Sequence, residues 1–245
     1  MIDYHAHLLP GLDDGAPDLE TALEMARLLV GAGFTRIHCT PHCIRGLYPN
    51  TPQQVRRATQ ELQQQLDRHQ LPLQLSAGME YFLDEFFLDS LADPLPLGTS
   101  NLLLFEISPR SDPQRLKDAV FQVQRRGLVP LLAHPERYPA LTHQGGAPAG
   151  FFQRLKGRLS GPGAAAPAAA TLLDELLAMG CRLQGNLGTF TGFYGPVVAA
   201  AGRHLLAAGR YHHFGSDAHS PKQLRHALAA LDDNAVRTAC AGSGR

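Results

Sequence analysis

The sequence has no excess of charge of either sign, no long apolar run and few cysteines. Its 22 Lys and Arg residues balance its 22 Asp and Glu residues, and the basic residues are not gathered into runs. An electrostatic surface for nucleic acid is therefore not expected. The apolar runs are four to six residues long, far below the length of a membrane span, so we expect no membrane insertion.

Cysteine usage and the first residues indicate the compartment. Four irregularly spaced cysteines in 245 residues do not form the framework of a disulfide-stabilised protein. A predicted strand begins at residue 2, from which we expect no signal peptide and a cytoplasmic protein. The hydrophobic content of 44% and the charged content of 18% are typical of a globular protein with a substantial core.

Strand and helix patterns alternate about seven times along the chain. The predicted strands lie at residues 2–6, 35–40, 73–77, 102–105, 128–133, 181–184 and 211–215. The predicted helices lie at residues 19–30, 52–66, 84–91, 116–126, 172–179, 197–208 and 221–231. Residues 241–245 are expected to form a mobile tail.

This alternation favours an α/β fold with a parallel barrel over one with an open sheet. We interpret residues 1–245 as a single domain, because barrels of this length commonly form one. A low-complexity segment rich in Gly, Ala and Pro near residues 157–170 is interpreted as a tolerated surface loop insertion.

The first fifteen residues contain the strongest local signal for a metal site. His5 and His7 are two residues apart on a predicted strand, so their side chains project from the same face. One metal ion can then take both imidazoles. The turn at residues 10–15 returns the carboxylate of Asp14 towards the same place. A buried structural histidine pair is the alternative, but the following Asp-Asp-Gly favours a metal site.

Metal-type side chains also follow the other predicted strands. In a parallel barrel the carboxyl ends of the strands meet at one face, where active sites lie. The strand-end residues of this type, with the loop carboxylate, are His5, His7, Asp14, His42, Glu80, Glu106, His134, Asp217 and His219. The histidines in predicted helices or loops, by contrast, are interpreted as surface residues; they are His69, His143, His204 and His226.

Nine candidate ligands exceed the needs of one tetrahedral ion, so two or three divalent ions are implied. Four carboxylates carry about four negative charges and three divalent ions about six positive ones, which leaves a positive balance for an anionic substrate. Mixed imidazole and carboxylate ligands suit Mn, Fe or Zn better than Mg. Metals set close together, with an activated water as nucleophile, are typical of phosphoester hydrolysis.

Seven motifs together resemble those of the PHP (polymerase and histidinol phosphatase) superfamily. More narrowly, they are similar to the bacterial manganese-dependent protein tyrosine phosphatases of capsule and exopolysaccharide loci. The match runs from residue 1 to about residue 230. The motifs that carry it lie at residues 3–7, 13–16, 40–42, 78–80, 105–106, 134–138 and 216–219.

The resemblance implies a distorted seven-stranded, TIM-like (β/α)7 barrel with a metal centre, most consistent with Mn, formed by the nine residues above. It implies that Arg137 binds the phosphate, because a guanidinium matches phosphate oxygens bidentately; a surface ion pair with Glu136 is the alternative. A metal or His219 would assist departure of the tyrosine, with no phosphoenzyme. The implied substrate is an autophosphorylated tyrosine kinase that controls polysaccharide export.

The sequence departs from this pattern in three respects. Cys43 stands where a second histidine often follows His42, and the insertion near residues 157–170 is expected to alter access to one side of the barrel. The family often has an arginine shortly after the last Asp-x-His, and here only Lys222 and Arg225 are near.

Other functions stay open at this stage. One alternative is a phosphoesterase of a small molecule such as histidinol phosphate, and another is a metal-dependent binding module. Residues 38–45 also spell the His-Cys-x5-Arg signature of cysteine-dependent tyrosine phosphatases. That mechanism needs a phosphate-cradling loop rich in backbone N–H groups. Pro41 lacks an N–H and Cys39 falls within a predicted strand, so we expect Cys39 to be a core residue.

Overall fold

The computed structural model describes residues 1–142 and 170–243. Apart from Ala170, the low-complexity segment predicted near residues 157–170 lies outside the described residues, as does His143. The loop character of that segment therefore stays a prediction.

The strands agree closely with the predicted ones, except that the second and third predicted strands are each followed, after a short interruption, by a further strand that was not predicted. Their bounds are β1 Ile2–Ala6, β2 Arg36–Cys39, β3 His42–Ile44, β4 Tyr48–Pro49, β5 Gln74–Ala77, β6 Glu80–Phe82, β7 Leu102–Glu106, β8 Val129–Ala133, β9 Arg182–Asn186 and β10 His213–Gly215. The short strand β4, which was not predicted, pairs antiparallel with β3.

The two interruptions occur at matching positions and leave the register of pairing unchanged. Cys39 pairs with Ala77 before the interruption, and His42 pairs with Glu80 after it. Pro41, which has no N–H to donate, lies in the first gap. His42 and Glu80 therefore stand side by side where the two strands resume.

The strands close into the predicted seven-stranded barrel. β1, β2 and β5 form one sheet, and β10, β9, β8, β7, β6, β3 and β4 form the other in that order. β10 then meets β1 through a parallel bridge between Ala6 and Ala218. The hydrogen bond from Asp217 N to His5 O, of 2.7 Å, belongs to the same seam. This seam joins the two ends of the sequence.

Among the described residues, seven helices lie at nearly the predicted positions, and three, at Pro139–Thr142, Leu187–Phe190 and Asn234–Gly242, were not predicted. Their bounds are α1 Leu19–Gly31, α2 Pro52–Arg68, α3 Phe87–Ser90, α4 Pro113–Gln124, α5 Pro139–Thr142, α6 Leu172–Ala178, α7 Leu187–Phe190, α8 Pro196–Ala207, α9 Pro221–Leu228 and α10 Asn234–Gly242. Short 3-10 helices lie at Pro135–Arg137 and Ala229–Asp232. Asp18 caps α1, and Thr51 with Gln54 forms a capping box on α2.

Strand β7 shows how the barrel separates its two apolar layers. Leu102 and Leu104 pack with Tyr4 and Leu131 in one cluster, while Phe105 belongs to the larger cluster that includes the helices. Both faces of the strand are thus buried, as expected for a parallel sheet covered by helices. The next residue in the alternation, Glu106, places a carboxylate at the carboxyl end.

The end of the chain differs from the prediction of a mobile tail. Of the predicted tail, residues 241–245, the structure describes 241–243. α10 extends to Gly242, with Val236 and Cys240 buried. Ser243 O accepts hydrogen bonds from Tyr4 Oη at 3.0 Å and from His213 Nδ1 at 3.1 Å. These contacts anchor the chain end at the amino end of the barrel, because the β1 and β10 side chains offer donors there.

Among the described residues, no helix is both long enough and apolar enough to cross a membrane.

Candidate metal centre

The site lies at the seam between the first and last strands of the barrel. His5 and His7 stand at the carboxyl end of β1, and their Nε2 atoms are 3.1 Å apart. Asp217 and His219 follow β10. Asp217 Oδ1 lies 3.4 Å from the Nε2 atoms of both His5 and His7. Two pairs of residues from opposite ends of the sequence therefore meet in one place.

Glu80, the first residue of β6, lies at the centre of the cluster. Its Oε2 atom is 3.1 Å from His5 Nε2 and from His42 Nδ1, and 3.4 Å from His7 Nε2. Its Oε1 atom is 3.2 Å from His134 Nε2. Glu80 is fully buried, and Oε2 has no hydrogen-bond partner in the described part of the chain.

Two further carboxylates complete the cluster on its open side. Asp14 Oδ1 lies 3.5 Å from the Nε2 atoms of both His42 and His219. Glu106 Oε1 lies 3.4 Å from His42 Nδ1, and Glu106 Oε2 lies 3.8 Å from His134 Nε2. The Asp14 side chain is 54% exposed, which leaves this side open to solvent.

The cluster contains three overlapping groups whose ligand atoms are close enough to hold a metal ion each. The groups are His7, Asp14, His42 and His219; His5, His7, Glu80 and Asp217; and His42, Glu80 and Glu106. His134 adjoins the third group through Glu80 and Glu106. All nine predicted ligands thus lie together, and their binding of metal stays a prediction.

Three of the histidines have their second ring nitrogen held by an acceptor. Such a contact fixes the tautomer and leaves Nε2 free to face a metal. The contacts, all from Nδ1, are His5 to Gln184 Oε1 at 2.9 Å, His7 to Asp13 Oδ2 at 2.6 Å, and His219 to Asp217 O at 3.0 Å. The donor set is therefore oriented for coordination through Nε2.

The backbone is unusual at two of the predicted ligands. His134 and Asp217 have positive φ angles of 34° and 49°, in the left-handed region that non-glycine residues rarely adopt. Such conformations cluster at functional sites. Gly15 meets a different requirement, since a Cβ there would lie 2.3 Å from His7 O. The Asp13–Gly15 turn can therefore approach β1 closely only with glycine at this position.

The charges of the cluster are unbalanced in the direction that cations would correct. Burial, followed by the charge of Glu80, raises the pKa of Glu106 to about 8. Burial alone would lower the pKa of His5, but the carboxylates of Glu80 and Asp217 outweigh it and raise that pKa to about 9. Without metal, protons held by Glu106 and His5 therefore neutralise part of the carboxylate charge. Divalent ions would neutralise more of it.

Arg137 borders the cluster through Asp217. Arg137 Nη2 donates a hydrogen bond of 2.5 Å to Asp217 Oδ2, on the carboxylate oxygen that faces away from the histidines. The alternative interpretation, an ion pair with Glu136, is wrong. Glu136 is buried and instead accepts hydrogen bonds from Asn186 N, Thr189 Oγ1 and Tyr211 Oη.

The His-Cys-x5-Arg signature does not form a phosphate-binding loop. Cys39 is fully buried in β2, and burial raises the pKa of its thiol far above the usual range. Arg45 lies at the surface, where it pairs with Asp89 and stacks on Phe86. The expectation that Cys39 is a core residue is confirmed.

The two cations considered as a second anion clamp have different surroundings. Arg225 pairs with Glu24 of α1 at 2.6 Å, on the outer surface of the molecule. Lys222 is exposed in the first turn of α9, shortly after His219. The surface histidines were predicted correctly where the structure describes them, since His69, His204 and His226 are exposed.

Sequence reasoning missed the polar residues of the sixth barrel strand. Gln184 Oε1 accepts from His5 Nδ1, and Asn186 Nδ2 donates to Asp217 Oδ2 at 2.7 Å. The signal was present, because Gln184 and Asn186 are two residues apart at the end of β9, like His5 and His7 on β1. It was overlooked because amides are not typical metal ligands.

Comparison with known proteins places this geometry in context. Residues 1–148 match the family model described as capsular polysaccharide synthesis, CpsB/CapC. The tyrosine-protein phosphatase YwqE of Bacillus subtilis is 30% identical over 224 residues, which cover 91% of this chain and 78% of YwqE. The putative tyrosine-protein phosphatase CapC of Staphylococcus aureus is 25% identical over 222 residues, or 90% of this chain and 77% of CapC.

A solved structure supports the same relationship. It comes from work on YwqE of Bacillus subtilis and CpsB of Streptococcus pneumoniae, described as metal-dependent tyrosine phosphatases. It matches this chain with a TM-score of 0.74 and 30% identity, over 95% of this chain and 86% of that chain.

Proposed function

Because this chain belongs to the CpsB/CapC family of capsular polysaccharide synthesis, we propose that it is a metal-dependent protein tyrosine phosphatase. The observation that carries the proposal is the position of the Arg137 guanidinium next to the three overlapping ligand groups. A phosphate monoester needs both features, because positive charge must surround its oxygens while a nucleophile is generated at phosphorus.

The residues present fit two or three divalent ions. Glu80 Oε2 and His42 Nδ1 are buried and lie 3.1 Å apart, but neither makes a well-oriented hydrogen bond among the described residues. Buried polar atoms of this kind need a compensating ligand. The nine ligands are His5, His7, Asp14, His42, Glu80, Glu106, His134, Asp217 and His219. We propose Mn, with Fe or Zn as alternatives, because imidazole and carboxylate are mixed.

Bound ions would supply Lewis-acid charge to the phosphoryl oxygens and lower the pKa of a water. Arg137 would bind the remaining phosphoryl oxygens, since its Nε atom is buried without a hydrogen-bond partner in the described chain. A guanidinium offers two parallel donors to a phosphate group, which also fixes its orientation. The tyrosine would then project through the open side of the site near Asp14.

The departing tyrosine oxygen needs charge neutralisation, because the phenol has a pKa near 10. His219 could donate a proton only from Nε2, since Nδ1 is held by Asp217 O. That same Nε2 lies 3.5 Å from Asp14 Oδ1 in one of the ligand groups. One nitrogen atom cannot bind an ion and donate a proton together. We therefore favour His219 as a ligand.

We further propose that the substrate is a tyrosine kinase phosphorylated on its own tyrosines, which governs capsule or exopolysaccharide synthesis. Two relatives are named tyrosine phosphatases, and the matching family model is described by capsular polysaccharide synthesis. A cytoplasmic location is part of the proposal, because all four cysteines are free thiols, as is usual in a reducing compartment.

The test is hydrolysis of a phosphotyrosine peptide by chelator-treated protein before and after Mn²⁺ is restored. Activity should disappear on chelation and return with the metal, and metal analysis should find two or three ions per chain. Arg137→Gln should lower kcat/KM at least a hundredfold with the metal content unchanged. Activity retained by a metal-free sample would contradict the proposal.

Two comparisons make this experiment specific. Cys39→Ser should retain activity, because the thiol lies in the barrel wall and not in a phosphate loop. Parallel assays with histidinol phosphate should give much lower kcat/KM than the phosphotyrosine peptide. Faster turnover of the small ester would favour the alternative function of a metabolite phosphoesterase.

A further inference from the structure

The guanidinium of Arg137 lies on an aromatic ring. Arg137 Cζ is 3.9 Å from the centroid of the Tyr194 ring, well within the range of a cation–π contact. The Arg137 side chain is 25% exposed, so water screens this contact only in part. The ring covers one face of the guanidinium and leaves its donor edge free.

The side chain of Tyr194 is held in place by hydrogen bonds and by close packing. Its Oη atom accepts hydrogen bonds from Asn186 Nδ2 at 3.3 Å and from Gln223 Nε2 at 3.2 Å. Gly188 makes room for the ring, because a Cβ there would lie 3.1 Å from Tyr194 Cε2. The ring is therefore fixed by groups from β9, α7 and α9.

These contacts belong to a closed network that includes Asp217 of the metal cluster. Asn186 Nδ2, which donates to Tyr194 Oη, also donates to Asp217 Oδ2. Asp217 Oδ2 in turn accepts from Arg137, whose guanidinium returns to the Tyr194 ring. Gln223 adds a second link, because it accepts from His219 N and donates to Asp217 O.

This network of contacts prevents Arg137 from pairing with Asp217 through both of its donors. A flexible arginine beside a buried carboxylate tends to form a bidentate pair, which would consume the donors needed by a phosphate. Here only Nη2 bonds to Asp217, and the buried Nε has no hydrogen-bond partner among the described residues. The stacked ring holds the guanidinium plane so that one edge stays available.

We propose that Tyr194 is a positioning residue that holds Arg137 in the phosphate-binding orientation through its ring. This inference rests on the proposed phosphatase function. Tyr194 touches Arg137 and not the ligand atoms of the metal groups, so its role is to orient the guanidinium.

The main test uses the full-length, metal-reconstituted protein with Tyr194 replaced by phenylalanine and by progressively fluorinated phenylalanines. Fluorine withdraws the negative charge from the ring face while the shape is largely kept. Phenylalanine should preserve the affinity for inorganic phosphate, measured by calorimetry, within about threefold. Each added fluorine should weaken it, to about tenfold for the pentafluoro ring. Equal affinity across the series would overturn the proposal.

A second set of variants separates positioning from general structural damage. Tyr194→Leu should lower kcat/KM about tenfold, with the metal content unchanged, and should have little further effect in an Arg137→Gln background. Losses that simply multiply in the double variant would indicate an independent role and contradict the inference. Phe121→Leu, an exposed aromatic on α4 (52% exposed), is the control and should stay within twofold.

The two proposals fail in different ways. A wild-type protein without phosphatase activity under any metal condition would refute the proposed function. If the wild type is active but all the variants at residue 194 bind phosphate with equal affinity, only this inference is refuted.

Discussion

At the residue scale, the orientation of His5, His7 and His219 depends on an acceptor that contacts Nδ1 and leaves Nε2 free to face a metal. Asp13 is the clearest case. Its Oδ2 atom is 2.6 Å from His7 Nδ1 and also accepts from His42 N at 3.0 Å. Burial would raise the pKa of Asp13, but His7 outweighs it and lowers that pKa to about 2. Asp13 is therefore charged and fixes two ligands at once.

We expect Asp13→Asn to weaken Mn²⁺ binding by about ten- to a hundredfold, the usual cost of losing an orienting partner. The amide keeps the shape of the side chain but removes the charge that holds His7 Nδ1–H. Calorimetric titration of the metal-free protein measures the effect. Asp18→Asn is the control, because Asp18 is exposed and asparagine also caps a helix. Equal affinity in the two variants would show that Asp13 is not an orienting residue.

The nine ligand candidates could be predicted because eight are metal-type residues at strand ends and Asp14 lies in the turn that follows the first strand. Their supports could not be predicted in the same way, since Tyr194 and Gln223 belong to a loop and a helix. Nothing in a single sequence indicates that a tyrosine ring will lie 3.9 Å from a guanidinium. That contact depends on the path of the chain between β9 and α8.

At the element scale, the strand and helix order followed from hydrophobic period and capping residues. Asp18 and Thr51 began helices as predicted. The short strands β3 and β6 were not predicted, because Pro41 indicates the end of the second strand and each further strand is only three residues long. Only the pairing of His42 with Glu80 reveals the resumption.

The helix α10 was not predicted, and its last two residues were assigned to a mobile tail, because its pattern is weak. Only Val236 and Cys240 are buried in it, so few apolar positions signal the helix. The helix is stabilised by docking at the amino end of the barrel, where Ser243 O accepts hydrogen bonds from the side chains of Tyr4 and His213. Such tertiary contacts have no local signature.

We expect Val236→Ala to lower the free energy of unfolding by about 2 kcal/mol, because the side chain is fully buried and its loss leaves a cavity. Urea unfolding at neutral pH measures the change. Thr238→Ala on the exposed face of the same helix should change the free energy by less than about 0.5 kcal/mol. A Val236 variant as stable as this control would mean that α10 does not dock.

At the scale of the whole molecule, the two ends of the barrel differ in charge. The carboxyl end holds the carboxylate-rich cluster. The amino end holds His38 and His213, whose rings lie 5.1 Å and 4.1 Å from that of Tyr4. His38 Nδ1 and His213 Nε2 are buried without hydrogen-bond partners among the described residues. Burial, followed for His38 by the charge of Arg36, lowers the pKa of each to about 4.

The two buried histidines at the amino end of the barrel predict that the protein loses stability in acid. A histidine whose pKa is lowered on folding contributes stability in full above its ordinary pKa of 6.5, and loses it as the pH falls towards 4. Between pH 7 and pH 5, His38 alone should account for a loss of about 2 kcal/mol. In the metal-free protein, His38→Gln should show a correspondingly smaller loss over this interval in urea unfolding.

The control for this experiment is His204→Gln, on the exposed face of α8. It should leave the pH dependence of the wild type intact. If His38→Gln loses as much stability as the wild type between the two pH values, His38 is not a buried neutral histidine.

The metal cluster at the carboxyl end of the barrel leads to a prediction about stability. Removal of the metal should destabilise the protein, whereas removal of the Glu106 charge should stabilise the metal-free protein. Without metal, the carboxylate of Glu106 is costly because it is buried and then because it lies near Glu80 and Asp217, and these causes raise its pKa to about 8. Its cost grows as the pH rises from 4.5 to about 8, because the unfolded chain releases the proton first. Glu106→Gln should therefore stabilise the metal-free protein at pH 8, by about 1–3 kcal/mol.

With Mn²⁺ at a hundred times its dissociation constant, the wild type should gain about 2.7 kcal/mol per independent site. Glu106→Gln should gain less, because an amide is a weaker ligand than a carboxylate, so the variant's advantage should shrink or reverse. Melting curves with and without Mn²⁺ measure both effects, with the exposed Glu61→Gln as the control. An equal gain in Glu106→Gln and the wild type would exclude Glu106 from the metal centre. The cluster would then have a carboxylate whose cost in the metal-free fold nothing offsets.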